Sequence, residues 1–364
     1  MSFKIGMIGC GRLASEFHGP AILRYAAAHP GAELIACCDI RPDVARQFAS
    51  RYGFAHWETD FRRMLSLHEP DAVCLFVPEH LTCEIACQIL ERGFPLLLEK
   101  PPGMTVDQID RMISTADSAG VHVDVAFNRR HMPLIRELMA LIKTHIHPTD
   151  IQHIQYEMVR CNRFDPDFTL TAIHGIDLVQ FVAGSSYRMG TCTYQPLPAF
   201  GPTVANFHLA ARFLSGATAH LSFCPIAGAV VERLSVHACG HSFYVELPLW
   251  ESLDTPGGLT HVHDGKIAFQ ISGADVGESN LPGGDQKAEA YGFYSEDEAF
   301  FQHVRNGQPA GMSLHGARQA VAIAQALRER APGFTFAHAV DSTLDPLGTL
   351  DTLRVKKSIV RESV

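Results

Sequence analysis

The chain has 364 residues, of which 46% are apolar and 19% charged, enough apolar surface to bury large cores and too little charge density for a disordered chain. At about 150 residues per domain, this length argues for two or three domains. The 39 acidic against 30 basic residues give a formal charge of -9, which repels phosphate backbones and anionic lipid and so argues against nucleic acid or a membrane surface as a partner.

From the start, Met1-Ser2-Phe3-Lys4 leads into a short apolar run, Phe3 to Ile8, that is broken by glycines and too short for a secretory leader. Gly9-Cys10-Gly11 ends that run and a helical segment follows, which reads as strand, tight turn, helix. A second strand is expected from Glu33 to Asp39, and Pro42 suits the first turn of a helix reaching about Tyr52. The alternation continues with a strand over Ala72 to Val77, a helix over His80 to Arg92, a strand over Pro95 to Glu99, a helix over Val106 to Ala119 and a strand over Val121 to Phe127. Near-continuous apolar strands alternating with helices indicate a doubly wound parallel sheet covered on both faces, a Rossmann-type domain over residues 1–127. The longest apolar run, around Ala72 to Pro78, falls far short of the roughly 18 residues of a membrane-spanning helix.

Residues 128–364 read differently. A helix from Pro133 to Lys143 precedes strands around Ile151 to Cys161 and a short helix over Ile173 to Val182. Strands at Val204 to Phe213, Ala217 to Phe223, Glu232 to Ala238 and Ser242 to Leu247 follow, with turn signals such as Ser215-Gly216 between them, so this is an α+β domain on a mostly antiparallel sheet. A glycine-rich loop over Gly273 to Gly284 precedes helices at Ser295 to Arg305 and Ser313 to Arg330, and the tail after Pro332 shows no strong periodicity. Ten cysteines are scattered, several (Cys37, Cys38, Cys74) inside apolar runs where a thiol behaves as a small buried hydrophobe, which suits a reducing cytoplasm. No metal site is expected: Cys83 and Cys87 lack a second ligand pair, and His145/His147 and His261/His263 lack a third ligand close by.

The turn Gly9-Cys10-Gly11-Arg12-Leu13-Ala14 fits G-x-G-x-x-A between a strand and a helix, where Gly9 permits the tight turn, Gly11 admits a pyrophosphate and Ala14 allows close helix packing. Asp39, at the end of the second strand, is placed to accept from ribose hydroxyls and to disfavour a 2′-phosphate, while Arg41 partly offsets it. A dinucleotide is therefore the expected cofactor, NAD ahead of NADP.

With these motifs the sequence resembles the glucose-fructose oxidoreductase, inositol dehydrogenase and rhizopine-catabolism (Gfo/Idh/MocA) family of nicotinamide-dependent sugar and polyol oxidoreductases. The resemblance covers nearly the whole chain and rests on Ile8-Gly9-Cys10-Gly11, Val77-Pro78-Glu79-His80, Glu99-Lys100-Pro101, Asn128-Arg129-Arg130 and His174-Gly175-Ile176-Asp177 in that order, with Phe300 to Pro309 resembling a late helix. It implies a cofactor in the cleft between domains, contacts from Cys10, Arg12, Leu13, Pro78, His80 and Glu99 to that cofactor, substrate contact by Lys100, and His174 as the leading candidate for the base. A lysine after a strand at the carboxyl edge of such a sheet can hydrogen-bond a substrate hydroxyl, and histidine suits proton removal near neutral pH. Arg129 and Arg130 fit either an anionic substrate group or a salt-bridged domain junction, and Asp177, i+3 from His174, fits either substrate hydroxyls or helix support. Leu170 and Ala172 stand where the family's sugar and polyol dehydrogenases commonly carry Asp and Gly, and leucine cannot accept from an imidazole, so His174 must be oriented from elsewhere.

The expectation is an oxidoreductase acting on CH–OH groups of a sugar, polyol or sugar acid, cytoplasmic, and a homodimer or homotetramer through the sheet face that the family commonly uses. A glycosidase that retains NAD, or a non-catalytic sensor of nicotinamide or sugar, stays open as the alternative.

Overall fold

The computed structural model describes residues 2–276, 286–309 and 311–336. Six parallel strands, β1 (Phe3–Ile8), β2 (Ala32–Cys38), β3 (His56–Glu58), β4 (Ala72–Leu75), β5 (Leu96–Glu99) and β6 (Val123–Ala126), form one sheet in the order β3-β2-β1-β4-β5-β6. The central strands β4 and β5 are buried at every position, as their unbroken apolar sequences require when helices cover both faces. Those helices are α1 (Gly19–Ala28), α2 (Pro42–Tyr52), α3 (Phe61–His68), α4 (Glu79–Leu90) and α5 (Val106–Ala119). Capping explains several of their ends: Asp60 accepts from the Arg62 N–H, Thr105 accepts from the Gln108 N–H, and prolines open α1 and α2. Strand order reverses between β1 and β4, and a ligand crevice is expected outside their carboxyl ends.

Two elements escape the periodicity reading. β3 has three residues and pairs only with β2, and neither it nor α3 carries the long apolar run that marks the interior strands. The segment after Gly11 also begins irregularly, with a π-helical turn over Ala14–His18 before α1. The wider turn ends on His18, which is fully buried.

The second sheet has nine strands in the order β14-β13-β12-β11-β7-β10-β9-β8-β15. They are β7 (Ile151–Val159), β8 (Tyr187–Pro196), β9 (Ala205–Phe213), β10 (Thr218–Cys224), β11 (Val231–Ala238), β12 (His241–Glu246), β13 (Gly258–His263), β14 (Lys266–Ser272) and β15 (Gly333–Thr335). Every pairing is antiparallel except β7 with β10. Alternate rungs separate the two faces. Leu209, Leu221, Tyr156, Leu234, Val245 and Leu259 stand in register on the buried face, and Ala210, His220, Gln155, Ser235, Tyr244 and Thr260 on the other. Helices α6 (Pro133–His145) and α7 (Thr169–Ala183) cover the apolar face. The apolar patterning after Val204 is thus fully used inside the protomer, and the open face is mostly polar.

Helix α7 begins at Thr169, a turn earlier than the sequence reading, because nearly all of it is buried and no amphipathic stripe marks its ends. The last helices, α8 (Gln286–Ala290), α9 (Phe293–Asn306) and α10 (Leu314–Arg328), return to the first domain. Phe300 and Phe301 share a core with Phe3, Ile5 and Tyr25, and Arg318 pairs with Asp110 of α5. A division at 127/128 therefore separates the two sheets but not their cores. Part of the glycine-rich loop, residues 277–285, and the tail beyond Phe336 lie outside the described residues. Among the described residues no helix is long and apolar enough to cross a membrane.

Candidate active site

Gly9 has φ +92°, and a Cβ there would collide with the Phe76 carbonyl, so the β1 turn needs glycine to pass beside the end of β4. Above Gly11 a Cβ would meet nothing within 4 Å, so no protein packing requires glycine there and the backbone lies open to a ligand. That opening belongs to a cleft of about 270 Å³ lined by Gly11, Arg12, Leu13 and Ala14 on one side and Phe76, Val77, Glu79, Thr82, Glu99, Lys100 and Pro101 on the other. The free surface over Gly11 and the bare start of the helix fit a dinucleotide pyrophosphate. From the β4–α4 connection the lining takes Val77 and Glu79, so the expected contacts Pro78 and His80 flank it without contributing to it.

Asp39 is buried, and its carboxylate accepts from the Cys10 N–H at 3.1 Å and from Arg41 through Nε at 2.9 Å and Nη2 at 3.1 Å. Burial raises its pKa, but the hydrogen bonds from Arg41 and Cys10 outweigh that and hold it below the ordinary value. Cys10 thus acts through its backbone, fixing the carboxylate against the glycine turn. Arg41 largely neutralises the charge that would repel a 2′-phosphate.

Lys100 follows β5 directly, and its ammonium donates to the Leu170 carbonyl at 3.1 Å, in the first turn of α7. His174 is one turn further along. Leu170 thus contributes through its backbone, holding Lys100. Burial lowers the Lys100 pKa, Glu99 opposes this, and Arg129 and Arg163 reinforce it. His174 is almost fully buried with Nδ1 lacking a partner, and burial followed by the charges of Arg129, Lys100 and Arg160 pushes its pKa well below the usual imidazole range. The ring is a neutral imidazole at pH 7, and a weak base.

Of the two readings open for Arg129, Arg130 and Asp177, the geometry matches the salt-bridged interior one. Arg129 is buried and spends its guanidinium on Glu232 (Nε–Oε1 3.0 Å) and on Asn128 (3.1 Å). Glu232 also accepts from Arg160 and, at 2.6 Å, from the Tyr156 hydroxyl. Burial would raise the Glu232 pKa, but the two guanidiniums bring it down to about 2. Arg130 makes a two-point pair with Asp177, at 2.8 and 2.7 Å, and Asp177 has no exposed surface. Arg129, Arg130 and Asp177 are therefore tied into the interior, where their pairs seat α7 against the domain junction.

Sequence reasoning missed His18. It stacks on Phe76 with ring centroids 3.8 Å apart, donates to Asp297 of α9 at 2.9 Å and reaches Glu99 at 3.4 Å. Burial alone would lower its pKa, yet Asp297 and Glu99 lift it to about 10, so it is an imidazolium. The signal available in the sequence was its place on the helix after the glycine turn, which periodicity could not distinguish from a packing position.

Residues 3–127 match the model of an oxidoreductase family with an NAD-binding Rossmann fold, GFO_IDH_MocA. The Rossmann domain belongs to the Gfo/Idh/MocA family. Among curated relatives of that family, the D-glucoside 3-dehydrogenase of Escherichia coli K12 is 32% identical over 127 residues, 35% of each chain. The inositol 2-dehydrogenase/D-chiro-inositol 3-dehydrogenase of Shouchella clausii is 25% identical over 196 residues, 52% of this chain and 55% of that one. The chain thus spans between about a third and just over half the length of these two relatives. An oxidoreductase domain protein from Kribbella flavida superposes with a TM-score of 0.76 at 19% identity, covering 93% of this chain and all of the other, so the two-domain fold is shared along nearly the whole length.

Proposed function

We propose that the protein is a nicotinamide-dependent oxidoreductase acting on a CH–OH carbon of a sugar, polyol or sugar acid, using NAD and accepting NADP second. The observation that carries this reading is Lys100, set between the cofactor cleft and the first turn of α7 with its ammonium anchored on the Leu170 carbonyl. Similarity to glucoside and inositol dehydrogenases supports a hydroxyl-bearing substrate. Bound nicotinamide would supply the hydride acceptor or donor at C4. Gly11, Arg12 and Leu13 would receive the pyrophosphate, Asp39 the adenosine ribose and Glu99 the nicotinamide ribose.

Within this site both Lys100 and His174 touch the reacting hydroxyl. Lys100 takes up and returns its proton, because burial has brought the ammonium's pKa down while the proton affinity of His174 is depressed well below neutrality. Neutral His174 accepts a hydrogen bond that aligns the hydroxyl. Assembly as a dimer or tetramer through the open face of the nine-stranded sheet belongs to the same reading. The test is the change in nicotinamide absorbance across a panel of sugars, polyols and sugar acids, with NAD and NADP separately. Turnover of at least one hydroxyl substrate that Lys100→Met abolishes is expected, and turnover that survives Lys100→Met would overturn the reading.

A further inference from the structure

Outside the cleft, one group of side chains has the composition and spacing of a metal site. His122 lies just before β6 and Asp124 is two residues on, so both project on one side of this edge strand, and His303 reaches them from α9. His122 Nε2 stands 2.9 Å and His303 Nδ1 3.3 Å from Asp124 Oδ2, and the three donor atoms lie within 4.8 Å of one another. We propose that His122, Asp124 and His303 bind one divalent transition-metal ion, zinc being the ion whose chemistry suits them.

Four features support this. Ligand bonds of about 2.0–2.2 Å in a tetrahedral site set donors roughly 3.3–3.5 Å apart, so the two histidine–carboxylate spacings need to open by about half an ångström or less. Two imidazoles and one carboxylate form a borderline-soft set that suits zinc, cobalt or nickel, whereas calcium and magnesium want oxygen alone. The second carboxylate oxygen, Asp124 Oδ1, accepts from the Met312 N–H at 2.7 Å, the kind of outer partner that fixes a ligating carboxylate. Both histidines are partly exposed, leaving an edge from which water can complete the coordination.

Behind the triad is a cavity of about 10 Å³, the size of a single water, lined among others by Asp124, His131, Glu296 and His303. Glu296 is buried with neither carboxylate oxygen partnered. Burial, opposed by the charge of His18 and reinforced by Asp297, Glu99 and Asp124, holds this carboxyl well above its usual range, so it stands neutral beside the triad. The cleft and this cavity share no lining residue, so the metal is not part of the oxidoreductase chemistry. It clamps β6 to α9, joining the edge of the first sheet to the helices that return from the second domain.

The experiment uses the untagged full chain, stripped with a chelator and dialysed, then titrated with Co²⁺ by visible absorption and with Zn²⁺ by thermal melting. The expected result is one Co²⁺ per chain with the strong visible bands of a four-coordinate site, a Tm raised by Zn²⁺, and Co²⁺ binding weakened about 100-fold or more by His122→Gln or His303→Gln. His261→Gln, in a separate cluster with His145 and His241, leaves the titration unchanged. Circular dichroism of the metal-free variants checks folding; should either variant not fold, the other decides. Absence of stoichiometric binding, or binding indifferent to both triad substitutions, overturns the proposal and leaves Asp124 as a carboxylate that only accepts from two imidazoles. No readout depends on turnover, so the outcome is separate from that of the proposed activity.

Discussion

At the scale of single residues, the proposed reaction rests on Lys100, held by the Leu170 carbonyl, and on His174, both lowered in pKa by burial beside guanidiniums. Loss of Lys100 should be the more damaging: Lys100→Met is expected to abolish turnover, while His174→Ala lowers kcat by about 10²-fold with cofactor affinity nearly unchanged, as measured by steady-state kinetics and cofactor titration. The acid limb of the pH profile separates the roles. Because His174 is neutral down to well below its usual range, kcat/KM for oxidation should show no inflection near 6.5, and should climb with pH toward the lowered pKa of Lys100; an inflection near 6.5 that His174→Ala removes would reassign the proton to the histidine. At the adenosine end, Asp39→Ala removes the carboxylate and releases the Arg41 fork that now closes on it. The ratio of NAD(H) to NADP(H) affinity should then move toward NADP(H) by about tenfold, roughly 1.4 kcal/mol, in paired titrations.

Helix α7 is the element on which the site depends. It approaches the sheet at Gly175, where a Cβ would overlap the Tyr156 ring, and that ring's hydroxyl is tied to Glu232. Gly175→Ala should lift the helix, costing about 1–3 kcal/mol in denaturant melts and lowering kcat more than it raises KM, because His174 is the adjacent residue. A shift in KM alone would mean that α7 does not set the reacting geometry. The π-helical turn before α1 has a similar place in the first domain, since it delivers His18 to Glu99 and Asp297. His18 is held charged in the folded state, with a pKa of about 10 against about 6.5 unfolded, so its contribution to stability is complete below pH 6.5 and disappears as pH rises through about 10. The difference in unfolding free energy between wild type and His18→Gln should accordingly narrow over that interval, and a gap independent of pH would show that the imidazole acts by packing alone.

Across the whole molecule, the two sheets share a junction built from the Arg129–Glu232–Arg160 cluster, the Arg130–Asp177 pair and α9, while the cleft over Gly11 is lined by first-domain residues alone. The open face of the nine-stranded sheet presents Gln155, His220, Ser235 and Tyr244 in register across its central strands. An interface there would be polar and well hydrated. Light scattering should give a mass near twice or four times that of the 39.9 kDa chain, and the protomer mass over a wide concentration range would exclude assembly through this face.

The sequence by itself determined five of the six strands of the first sheet, all but β3, because each of the five is a continuous apolar run and their turns are marked by glycine or proline, signals that act within a few residues. The glycine turn and Asp39 were legible from their places at strand ends, whereas Lys100 and His174 were singled out as candidates by the family resemblance of their motifs. The sequence did not show β8, β13, β14 or β15, where polar and aromatic residues alternate weakly or where the strand lies at an edge, nor the true start of α7, which is buried on all sides. Only the tertiary structure decided which charges meet. Arg129 finds Glu232 103 positions away and His18 finds Asp297 across 279, and no local pattern encodes such a pairing, because the desolvation that forces a buried guanidinium or imidazole to take a carboxylate partner exists only once the two domains have packed.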